Sequence, residues 1–96
     1  MKLGENIIKG FLSQFKEDKV KHITSLIRKG ETHFEISMND EFKWIDDNVK
    51  DGKTIYWHWL LQRICTSVNY NLLTYVRKKH LVCFYKGKSI FVTIAK

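Results

Sequence analysis

The chain has 96 residues, enough for one domain with a single modest core. An apolar fraction of 44% with 14% aromatics excludes a disordered chain, and two cysteines exclude a disulfide framework. The net charge of +7 is unevenly placed: all ten carboxylates lie at or before Asp51 among nine Lys/Arg, whereas residues 52–96 carry eight Lys/Arg and no acid. Such a segment must be neutralised by water and counterions, by the acidic first half, or by a polyanionic partner.

No apolar run approaches the roughly 20 residues of a membrane-spanning helix, and Met1 to Gly10 lack the apolar stretch of a signal peptide. With only Cys65 and Cys83, too few for a disulfide framework, an intracellular, reducing setting is expected, cytoplasmic or nuclear rather than secreted, with no membrane partner. Ile7, Ile8, Phe11, Leu12 and Phe15 recur at helical spacing, and Ile23, Leu26 and Ile27 continue it. One long helix, or two meeting at Glu17-Asp18, should end at Gly30 after Arg28 and Lys29. Thr32 to Met38 alternate strictly, with Phe34, Ile36 and Met38 on one side, as in a half-buried strand. Asn39 or Asp40 can cap a short helix holding Phe42, Ile45 and Val49, which Asp51-Gly52 ends as a turn.

From Thr54 the helical pattern returns. Trp57, Leu60, Leu61 and Ile64 form one stripe, with Ile55 and Trp59 on the opposite face. The helix is expected over Tyr56 to Ile64, with a break at Thr66-Ser67, where either hydroxyl can cap a new helix. Val68, Leu72, Leu73 and Val76 form the next stripe, over Val68 to Lys78, although Thr74, Tyr75 and Val76 also suit a strand. Leu81 to Tyr85 and Ser89 to Ile94 flank Lys86-Gly87-Lys88 and read as a hairpin with a three-residue loop, its Ile90, Val92 and Ile94 facing the core. The expected fold is a single α+β domain over residues 1–96, helices plus a short antiparallel sheet with a C-terminal β-hairpin.

This order of helix, strand, helix, turn, helix and hairpin resembles the winged helix-turn-helix superfamily. The resemblance is carried by Trp57 to Ile64 as the first helix of the motif, Cys65-Thr66-Ser67 as its turn, Val68 to Lys79 as its second helix, and His80-Leu81-Val82 with Lys86-Gly87-Lys88 as the wing. On this register Asn39 to Gly52 are an insertion, and the turn lacks the glycine often found there. The resemblance implies a helix that enters the major groove of DNA and a wing that touches backbone or minor groove.

As a helix, residues 68–79 put Tyr70, Asn71, Thr74, Arg77 and Lys78 opposite the apolar stripe. Asn pairs with adenine edges, Arg with guanine edges, and Lys and Thr suit phosphates. The plainer reading is a solvated outer helix face. Lys86 and Lys88 flank the hairpin glycine, as phosphate contacts or simply as charges that guard an exposed edge. Trp59 either packs beneath the N-terminal helix or marks a partner contact.

His58, Cys65, His80 and Cys83 match no common zinc spacing, so no metal and no cofactor are expected. No nucleophile–base arrangement stands out, which argues against an enzyme; a metal-free ribonuclease built on His, Lys and Arg is the residual catalytic option. The expected function is a small basic nucleic-acid-binding protein, on duplex DNA rather than RNA, that regulates transcription or replication. The rival is a protein-binding module or small inhibitor that docks its basic face on an acidic partner, with Trp59 or Phe91 as anchor, and a homodimer is a further option.

Overall fold

The computed structural model describes residues 4–79 and 81–95, without the side chains of Tyr75, Val76 and Lys79. The elements run α1 (Glu5–Arg28), β1 (His33–Ser37), α2 (Asn39–Asn48), α3 (Lys53–Asn71), α4 (Leu73–Lys79), β2 (Leu81–Lys86) and β3 (Ser89–Ile94). The domain is α+β, as expected, with one antiparallel sheet in the order β1-β3-β2.

The N-terminal helix is unbroken through Glu17-Asp18, with Glu5 in its first turn and Arg28 in its last, the charges that suit its dipole. Its end is satisfied by backbone alone. Glu31 N–H donates to Leu26 O at 3.1 Å and Gly30 N–H to Ile27 O at 3.0 Å, and Gly30 takes φ 102°, a conformation that favours glycine.

Ile8, Leu12, Ile23 and Ile27 of α1, Phe42 and Ile45 of α2, and Leu60, Leu61, Ile64 and Val68 of α3 are all buried. They meet the inner face of the sheet, where Ile36, Leu81, Cys83, Ile90, Val92 and Ile94 are buried. The aromatic Phe42 stacks on Trp57 with centroids 5.3 Å apart.

Neither Asn39 nor Asp40 caps α2, since both lie inside it and its N-cap is Met38 with no side-chain cap bond; two larger expectations also fail. The break at Thr66-Ser67 is absent, since α3 runs unbroken from Lys53 to Asn71. At 100° per residue Leu61, Ile64 and Val68 stay in phase, so one buried stripe runs under the whole helix. The chain turns at Leu72 instead, whose φ of −121° and ψ of 39° leave the helix. Residues 68–79 are thus neither one helix nor a strand, and Leu73, expected in the core, is 43% exposed. The Val76 side chain of that expected stripe lies outside what is described.

The second correction is the hairpin loop. Lys86 pairs with Ser89, so the loop is Gly87-Lys88 alone, with Gly87 at φ 61°. Met38 N–H donates to Lys88 O at 2.8 Å and ties this tip to the start of α2.

Thr66 is exposed within α3, so Thr66→Pro tests the unbroken helix without disturbing the core. It should cost about 3 kcal/mol or more, seen as a lower urea midpoint at constant m; a turn at this position would tolerate it. Ile64→Ala should cost about 2–5 kcal/mol in the same measurement.

Candidate nucleic-acid interface

Burial of one α3 face leaves the other to solvent. His58, Gln62, Arg63, Thr66 and Tyr70 are exposed along it, and no carboxylate occurs anywhere in this helix. Arg63 lies over the Trp59 ring, its Cζ 5.8 Å from the centroid, which holds the guanidinium beside the solvent face. His58 approaches Tyr85 of β2 at 6.3 Å between centroids, so the first half of α3 lies toward the hairpin end of β2.

Of the residues singled out from sequence, Tyr70 and Asn71 close α3, Thr74, Arg77 and Lys78 sit on α4, and Lys86 and Lys88 stand at the hairpin tip; all are exposed. The structure does not gather the first five on one helix face, because the turn at Leu72 separates them. Asn71 is turned toward α1, where it lines a shallow depression with Lys16, Glu17 and Lys21. The α4 cations and the hairpin lysines mark opposite ends of β2, whose six residues span roughly 17–20 Å at about 3.3 Å each.

His58, Gln62 and Arg63 fall on the first, positioning helix of the expected motif and Thr66 in its turn, so the sequence alone does not single out the exposed row they form. The nearest helix–turn–helix in the structure comes earlier. α2 is joined to α3 by Val49, Lys50, Asp51 and Gly52, and Gly52 takes φ 71°. A four-residue connection containing glycine is the usual form of such a turn.

The pairing of charges divides the surface. Glu5 bridges Lys9 at 3.2 Å, Glu41 bridges Lys19 at 3.4 Å and Asp47 bridges Lys43 at 2.8 Å, all within the first half. Only Lys53 of the second half reaches a carboxylate among the described residues, Asp46 at 3.7 Å. Arg63, Arg77, Lys78, Lys86 and Lys88 have no ion pair among them. Lys43 Nζ donates a hydrogen bond to Asp47 Oδ2, and that bond, followed by the carboxylate's charge, raises the Lys43 pKa.

Trp59 is half-buried and lines a groove of about 610 Å³ between the first halves of α1 and α3, with Leu12, Ile55 and Tyr56. Cys65 and Cys83 are free, buried and face each other from α3 and β2. Their mutual hydrogen bond lowers the Cys65 pKa against the effect of burial, and raises that of Cys83, with burial adding. Among the described residues no group of three or more His, Cys, Asp or Glu side chains is placed to hold a metal, and no helix is long and apolar enough to cross a membrane. His80, the remaining histidine of that set, lies outside the described residues.

No protein-family model, curated protein or solved structure matches the chain.

Proposed function

We propose that the chain binds nucleic acid, duplex DNA in the first instance, through the solvent face of α3 with the β2–β3 hairpin as a wing. The observation that carries this reading is that Arg63, Arg77, Lys78, Lys86 and Lys88 have no ion pair among the described residues. Of the three ways to neutralise the basic half, the acidic first half supplies little among the described residues, where its bridging carboxylates meet first-half lysines or Lys53. Counterions remain, and they are what a polyanion releases when it binds.

The winged-helix resemblance then takes a new register. α2 is the positioning helix, residues 49–52 the turn and α3 the reading helix. Gln62 suits adenine edges and Arg63 guanine edges, with Thr66 beside them. Lys86 and Lys88 at the tip and Arg77 and Lys78 on α4 contact phosphates from the two ends of β2. Regulation of transcription or replication by such a protein requires no covalent chemistry.

A second reading has one observation in its favour. The groove beside Trp59 exposes Ile55 to 72% and suits an apolar side chain of a protein partner.

If about five phosphates are met, log affinity for duplex DNA should fall with log salt at a slope of roughly −4 to −5, read by fluorescence anisotropy. Salt-independent affinity, or no binding at low salt, would defeat the proposal. Lys86→Ala should weaken all duplexes alike and shrink the slope by about one. Gln62→Ala or Arg63→Ala should flatten discrimination among duplex sequences by about 1–3 kcal/mol. If these variants match wild type while Trp59→Ala stays folded and loses a protein partner, the second reading wins.

A further inference from the structure

The sheet has a second face whose aromatic side chains the duplex reading does not use. Its inner face is covered by helices. On the outer face the register sets Phe84 of β2 opposite Phe91 of β3, with Glu35 of β1 beyond them. The two rings stack, centroids 5.4 Å apart and planes 17° from parallel. Val82 and Phe84 on the same face are 51% and 47% exposed. Lys86 follows Phe84 by two residues and so shares its face, and Lys88 stands at the tip.

We propose that this face is a binding site for single-stranded nucleic acid, with an unpaired base stacked on the Phe84–Phe91 pair and its phosphates on Lys86 and Lys88. A stacked aromatic pair in the open offers a flat apolar surface that any base can extend, and neighbouring lysines track the backbone. Only unpaired bases expose their faces, so a duplex cannot use this platform. The charge pattern fixes where the strand runs. From Leu73 to Ile94 there is no carboxylate, and Glu35, the one acid in the row of the two rings, repels a phosphate from the β1 side. The strand is therefore directed along the β2 edge, which is free of a neighbouring strand. An acidic peptide could pair with the lysines but has no use for the stacked rings.

The test is fluorescence anisotropy of the full chain with a single-stranded oligothymidylate of about 15 nucleotides, beside a mixed-sequence duplex. Phe84→Ala, its fold checked by circular dichroism, should weaken oligothymidylate binding roughly 5- to 100-fold and leave duplex binding unchanged. Phe84→Tyr keeps a ring and should bind as wild type, which guards against a merely structural loss. Arg63→Ala should behave in reverse, weakening duplex binding alone. The proposal falls if wild type does not bind oligothymidylate, if folded Phe84→Ala binds it like wild type, or if a polyglutamate peptide displaces it from wild type and Phe84→Ala equally well. Duplex binding without single-strand binding removes this inference and spares the proposed function, and the opposite result does the reverse.

Discussion

The buried stripe of α3 is where α1, α2 and β2 come together. Leu60, Ile64 and Val68 are fully buried and Leu61 nearly so. Burying each contributes about 1.5–3 kcal/mol, against propensity differences of under about 0.7 kcal/mol for residues such as Thr66 and Ser67. Packing therefore decides, and the helix continues where local preference suggests a stop. That continuity orients the rest. It turns His58, Gln62, Arg63 and Thr66 to solvent as one row, delays the turn to Leu72, and delivers the chain through α4 into β2.

Charge follows the same division. The carboxylates lie on α1, the loop after it (Glu31), β1, α2 and the turn before α3, and the bridges they form at i, i+4 are surface pairs of small consequence for stability. Their effect is to keep acidic charge within the first half. Arg63, Arg77, Lys78, Lys86 and Lys88 have no ion pair among the described residues, the condition for salt-sensitive binding to a polyanion. Both sheet faces share in this. The inner face supports α3, and the outer face carries Phe84 and Phe91 with Lys86 alongside.

Much of the fold was legible. The alternation of Phe34, Ile36 and Met38, the stripe of α1, the helix holding Phe42 and Ile45, and the inward Ile90, Val92 and Ile94 follow directly from residue period. Thr66 and Ser67 misled because their hydroxyls favour caps and turns, whereas the in-phase Leu61, Ile64 and Val68 were the better signal. No Gly or Pro marks the true turn at Leu72. Gly52 was visible as a turn, but its place as the link between two packed helices depends on tertiary contacts. In the candidate site, the lysines of the hairpin were legible and the grouping of Asn71 with Arg77 was not, since one break rephases the helix between them. The Phe84–Phe91 pair depends on register: a three-residue loop sets Phe84 opposite Ile90, and the two-residue loop sets it opposite Phe91.

The most direct test of the central claim is a titration of isotopically labelled protein with duplex DNA, followed through backbone amide shifts. The account predicts that the largest changes fall on His58, Gln62, Arg63, Thr66 and the Lys86–Lys88 tip, with the buried stripe and the first half of α1 little affected. Changes confined to Leu12, Ile55 and Trp59, or spread evenly over the lysines of the first half, would contradict it.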